Sequence, residues 1–263
     1  MSLLQPTTDS MVRLKQALFW WGVYFAVTVL INGTLLFLLG WDLHGWSYSA
    51  GKDLLVNLLV YSGLFLVVPL ILTKGWDTVR QPGFIVPLLI AILAMTLRTY
   101  YRPVSVLAVL VLIYLHWRYG LSELGIRSSG WHGDLAAVLI VAALTLVPRF
   151  TQPLSLSFSL LPALQTALDR MFFNPATTTE YLFYFGFLAG HLYGKLGKWW
   201  TPLLVGLMYT AHEMSNPEYW YEGVQFGFVF VGVTLFVLIY IRRRSVVVFW
   251  LGDGLGRFLS RII

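Results

Sequence analysis

Glu180 and His212 are the side chains of this sequence best placed to do chemistry, because each is an ionisable group set in apolar sequence. Glu180 lies in TTTEYLFYFGFLAGHLYG, residues 177–194, and His212 in GLMYTAHEMSN, residues 206–216. A carboxylate at mid-bilayer costs on the order of 3 kcal/mol, so one that persists there usually has a task. Two apolar segments joined by the short connection at Lys195–Trp200 should lie antiparallel, with the end of the second beside the start of the first. That places Glu180 next to His212. A glutamate and a histidine sharing a dry cavity can activate water as a general-base pair.

Each residue also has a structural reading. Thr177-x-x-Glu180 ahead of an apolar run is the pattern of a capping box, with Thr177 at the N-cap and Glu180 reaching back to a free amide. Asn174-Pro175 just upstream would end the preceding element. His212 could be an interfacial residue bonded to Glu213 or to backbone. It does not open a HExxH zinc-protease motif, since Asn216 stands where the second histidine belongs.

Three other features carry polar or packing information. His191 shares a helix face with Glu180 but lies about 16 Å along the axis, too far for one site. It reads as a polar packing residue. Gly186, Gly190 and Gly194 repeat every four residues, a stripe that admits close approach of a neighbouring helix. Asp253 and Arg257, in FWLGDGLGRF, stand four apart with the acid first, the favourable order for a helical ion pair. Either could instead face the polar cavity.

These groups must be held by elements built for lipid. The chain is 58% hydrophobic, 16% aromatic and 11% charged, against about a quarter charged in soluble domains. The expected fold is an all-α integral membrane protein, a polytopic bundle of about eight or nine transmembrane helices. Apolar segments of spanning character fall near 17–40, 54–73, 83–97, 103–116, 133–148, 177–194, 200–213, 223–241 and 245–260. Residues 1–116 read as N-terminal transmembrane helices and 117–263 as a core carrying the chemistry. The stretch LSLSFSLLPALQTALDRMFFNP, 154–175, is weakly amphipathic and reads as an interfacial or re-entrant helix.

With the N-terminus in the cytoplasm, the inside loops carry more lysine and arginine than the outside ones. The loop 213–223 has three glutamates and no lysine or arginine, as an outside loop should. Aromatic clusters at Trp20-Trp21, Trp199-Trp200, Tyr219-Trp220-Tyr221 and Phe249-Trp250 fall at span ends. The expected location is the cell membrane. The net charge of +6 belongs to such loops; no basic run is interleaved with exposed aromatics, so nucleic acid is not an expected partner. The absence of cysteine excludes disulfides, iron–sulfur clusters and thiolate zinc sites.

The order of features resembles the CPBP family, the CAAX proteases and bacteriocin-processing (Abi-type) intramembrane endopeptidases. Its members carry EExxxR on one helix, FxxxH on the next and HxxxN on the last, with a loop like LSELGIR ahead of them. Here LSELGIR stands at 121–127. EYLFYFG at 180–186 matches the first Glu as Glu180, with Tyr181 for the second Glu and Phe185 for the Arg. MYTAH at 208–212 matches the histidine as His212, with Met208 for Phe. LGDGLGRF at 251–258 has Asp253 for the final His and Arg257 for the Asn. The likeness runs from Leu121 to Phe258.

The resemblance implies peptide-bond hydrolysis of membrane-associated or prenylated peptides, with Glu180 and His212 activating water. Arg257 would then stand in for the missing oxyanion pair. Asp253 would orient Arg257, or join Glu180 and His212 around a divalent metal such as zinc. The expected partners are membrane lipid and a membrane-associated peptide or protein. Two alternatives accompany this reading. One is an inactive relative that binds a membrane peptide as a scaffold. The other is a small transporter subunit, disfavoured because the polar groups concentrate in the second half of the chain.

Overall fold

In a computed structural model, residues 3–33, 50–128, 130–147, 160–213 and 223–262 are described, and every regular element among them is helical. Helix α1 runs Ser10–Gly33, opened by Asp9, whose Oδ1 accepts the Met11 amide at 2.8 Å. Helix α2 starts as Ala50–Leu55, widens to π-helix over Val56–Val67 and closes as Val68–Lys74. Gly75, at φ 79°, then turns the chain in a conformation that a side chain would resist. Helix α3 is Pro82–Leu97. Helix α4 is Val106–Tyr119, ended by Gly120 at φ 66°. Helix α5 is Trp131–Leu146.

Helix α6, Leu160–Leu168 with a π-helical end at Asp169–Phe173, is amphipathic as expected. Its Ala163 and Ala167 face inward, while Leu160 and Leu161 stay exposed. The remainder of the expected amphipathic stretch, 154–159, lies outside the described residues. So do Tyr219-Trp220-Tyr221 and most of the acidic loop 213–223.

Helix α7 begins as Pro175–Tyr181 and continues as π-helix over Leu182–Ala189 to residue 196. Gly197, at φ 69° and ψ −168°, breaks it from α8, residues 198–213. The two form the antiparallel hairpin expected from the short connection. Helices α9, Gly223–Arg243, and α10, Val247–Ser260, complete the chain.

Among the described residues, three segments are long and apolar enough to cross a membrane: Ser10–Ile31, Gly51–Lys74 and Phe226–Arg243. The other expected spans also form helices: residues 175–196 make one of spanning length with a polar opening turn, and the rest are shorter. Pro82–Leu97 and Trp131–Leu146 are apolar and have 16 residues each. Helix α10 has 14 residues, about 21 Å of rise against about 30 Å of hydrocarbon. The first helix starts at Ser10 rather than near residue 17, because the polar opening turn is capped and helical too.

Small residues decide which helices touch. A Cβ on Gly252 would meet Val141 Cβ at 2.6 Å, and one on Gly256 would meet Thr145 Cβ at 2.7 Å, so α10 lies directly on α5. Gly254 packs against Met171 of α6 in the same way. The indole of Trp250 donates to the Met171 carbonyl at 2.6 Å. Asp253 is therefore carried on a helix wedged between α5 and α6.

The glycine stripe on α7 meets three partners rather than one helix. Gly186 is covered by the backbone of Leu124, Gly190 faces the Tyr240 hydroxyl of α9 at 3.9 Å, and Gly194 faces Ser10 of α1 at 3.6 Å. The LSELGIR loop thus seats on Gly186, pinned at its other edge where the Val246 amide donates to the Gly125 carbonyl at 2.8 Å.

Candidate active site

Glu180 sits near the start of α7, but it does not cap the helix. The N-cap position falls on Asn174 with Pro175 following, and no side-chain cap bond closes this end. Thr177 is already inside the helix. The expected capping box is absent because proline at the first helical position starts the turn earlier than the threonine would. Glu180 is 7% exposed, and its Oε1 lies 3.2 Å from His212 Nε2. The hairpin at Gly197 produces this meeting by folding the end of α8 onto the start of α7.

The other ring nitrogen, Nδ1, is hydrogen-bonded to the Tyr24 hydroxyl of α1. A consistent proton arrangement has the tyrosine O–H donating to Nδ1 and Nε2–H donating to the carboxylate. The imidazole is boxed by rings: Tyr24 at 5.3 Å, Tyr209 at 5.6 Å, Tyr184 at 5.7 Å and Phe65 at 6.0 Å. Such a box fixes the ring plane and keeps bulk water from its faces.

Glu180, His212, Tyr24 and Tyr209 line a cavity of about 630 Å³. Arg170 and Arg257 line it as well, so both the expected arginine and an unexpected one face the carboxylate's cavity. Arg257 is half exposed, with Nε 3.5 Å from Asp253 Oδ1, the ion pair expected from their spacing. Arg170 makes the closer bond to the same acid, Nε to Oδ2 at 2.6 Å. Burial alone would lower the Arg170 guanidinium, but the adjacent Asp253 carboxylate outweighs it and holds the group above its ordinary range.

Asp253 itself is 4% exposed and committed to two arginines. It is not a member of the ligand-like group that the structure assembles. That group is Glu180, His212 and Glu213, whose potential ligand atoms lie within 4.8 Å of one another. Glu213 takes the place expected for Asp253 because it follows His212 directly on α8, whereas Asp253 is drawn away by Arg170. One nitrogen and two carboxylate donors suit a divalent cation with an open position for water. His212 Nε2 would have to exchange its bond to Glu180 for the ion.

The polar groups do not concentrate in the second half of the chain. Asn57, Tyr61 and Arg98 join Tyr24 in lining the same cavity. Residues 1–116 therefore supply part of the site as well as helices around it.

Within 180–186, the two positions where the sequence departs from EExxxR are filled by aromatic packing. Tyr181 and Phe185 stack at 5.5 Å, and Phe185 meets Phe249 of α10 at 4.5 Å. His191 is far from this site and bonds Arg13 through Nδ1 at 3.3 Å, in keeping with its packing reading. Arg170, Tyr24 and the ligand position of Glu213 were not singled out from sequence. The Asp169-Arg170 pair ahead of Asn174-Pro175 was a signal for the first; Tyr24 had none.

Comparison with known proteins finds no family model, no curated protein and no solved structure that matches this chain.

Proposed function

We propose that this chain is a CPBP-like intramembrane endopeptidase that hydrolyses peptide bonds of membrane-associated or prenylated peptides. The observation that carries the reading is the 3.2 Å contact between Glu180 and His212 on the wall of a cavity lined also by Arg170 and Arg257. Water in the cavity gives a proton to the Glu180 carboxylate as its oxygen bonds to the scissile carbonyl carbon. His212, held by Tyr24, fixes the carboxylate and stabilises its charge. The arginines face the negative charge that develops on the carbonyl oxygen. Glu180 then returns the proton to the leaving amine as the C–N bond breaks. A divalent cation such as zinc, held by Glu180, His212 and Glu213, would supply Lewis acidity to the bound water.

The same reading takes the fold as a polytopic bundle of about eight or nine spans, with the N-terminus cytoplasmic and the chain in the cell membrane. Supporting it, the shorter helices turn apolar side chains outward: Leu93 on α3, Ile113 on α4 and Leu139 on α5 are each more than half exposed.

One observation favours a second reading, a relative that holds a membrane peptide without cutting it. Asp253 engages both arginines, which reduces the positive charge available to an oxyanion. The deciding experiment incubates the purified protein in lipid with a panel of membrane-associated and prenylated peptides and reads fragments by mass spectrometry. Cleavage by the wild type that Glu180→Gln abolishes upholds the enzyme. Retention of intact peptide without fragments upholds the scaffold. Neither cleavage nor retention ends both.

A further inference from the structure

A second cavity, of about 900 Å³, opens at the other end of α1. Arg13, which lines it, precedes Tyr24 of the first cavity by eleven residues, about 16 Å of helix. Three guanidinium groups line it, from three separate parts of the chain: Arg13 from the first turn of α1, Arg127 from the LSELGIR loop, and Arg244 from the end of α9. Among the described residues, Glu123 is the one carboxylate on the lining. Among the described residues none of the three arginines makes an ion pair.

The cluster is built rather than incidental. Arg13 Nε is buried without a hydrogen-bond partner among the described residues, and its terminal nitrogen rests on His191 Nδ1 at 3.3 Å. Arg244 adopts φ 53°, a left-handed conformation that costs a side chain energy. Its carbonyl accepts from Arg127 Nε at 3.0 Å, and the neighbouring Ser245 hydroxyl donates to the Arg127 carbonyl at 2.6 Å. The strained turn thereby fixes two arginines against each other. The Arg244 guanidinium lies 4.5 Å over the Tyr193 ring, at the cavity edge. Like charges held together in this way call for an anion between them.

We infer that this cavity binds a phosphate-bearing anion, the headgroup of an anionic phospholipid. Arginine forks match phosphate oxygens in pairs. All three arginines stand at helix ends or in the loop between helices, the level at which headgroups lie, and basic pockets between membrane helices take such groups. The site is separate from Glu180 and His212 and does not depend on the reading given to them.

The test uses the full chain in neutral detergent and follows its unfolding temperature during titration with short-chain phosphatidylglycerol, phosphatidylcholine of equal chain length, or inorganic phosphate. A ligand of the folded state raises that temperature with concentration. Phosphatidylglycerol alone raising it identifies a lipid headgroup; inorganic phosphate doing so as well identifies a free phosphate. Arg13→Gln and Arg244→Gln should each weaken binding about fivefold. Glu123→Gln, at an exposed position that carries no fold, should tighten it. Equal response to phosphatidylcholine, no response to either anion, or a Glu123→Gln protein that binds no more tightly than wild type overturns the assignment.

Discussion

Arg170 Nε lies 2.6 Å from Asp253 Oδ2 across 83 residues of chain, and Arg257 Nε lies 3.5 Å from Oδ1 of the same carboxylate. One buried acid thus carries two cations, and the trio leaves a net positive charge at the wall that Glu180 also lines. Removing one member of a buried pair strands the other, which costs about 3–5 kcal/mol. Arg170→Ala leaves Asp253 only the longer contact to Arg257, so it should destabilise the protein by up to about 3 kcal/mol, read from chemical unfolding in detergent, and adding Asp253→Asn should recover much of the loss. A single variant as stable as wild type would show that the pair does not hold α6 to α10.

Arg257 offers the contrasting case. Its side chain is 50% exposed, so Arg257→Ala should move stability by no more than about 0.5 kcal/mol. If the guanidinium meets the oxyanion, turnover of a cleaved peptide should fall about 10²–10³-fold. Unchanged turnover would pass the role to Arg170 or to a metal.

Glu180→Gln keeps an oxygen to accept from His212 Nε2–H but removes the base. Cleavage should drop by at least about 10²-fold, with helicity and membrane insertion retained. Tyr24→Phe is the milder companion, since it frees Nδ1 while preserving the ring box. It should slow cleavage without abolishing it. A wild-type rate in Tyr24→Phe would make the hydroxyl a packing feature only.

Much of this site is legible in local sequence, and what is not depends on distant contacts. The hairpin follows from two apolar segments with a six-residue link, and it suffices to join Glu180 to His212. The Asp253–Arg257 pair follows from helical spacing. Nothing local points from Tyr24 to His212, because 188 residues separate them and the hydroxyl looks like any interfacial tyrosine. The capping box fails for a local reason, as Pro175 competes with Thr177 for the helix start and wins. An apolar run points to a helix, whereas its reach across lipid depends on where the turns fall, so among the described residues three of the expected spans have both the length and the hydropathy to cross.

The glycines of α7 give a test of how the LSELGIR loop is seated. A Cβ at Gly186 would collide with the Leu124 backbone, which cannot yield as a side-chain tip could. At Gly190 the nearest atom is the Tyr240 hydroxyl at 3.9 Å, ordinary contact distance. Gly186→Ala should therefore destabilise by about 1–3 kcal/mol through overpacking. Gly190→Ala should be neutral or gain up to about 1 kcal/mol from helix propensity. Denaturation of both proteins in detergent decides the matter. Limited proteolysis should cut Gly186→Ala within 121–127 sooner than wild type, because a displaced loop exposes its backbone. Equal stability and equal proteolysis for the two variants would place the loop away from Gly186.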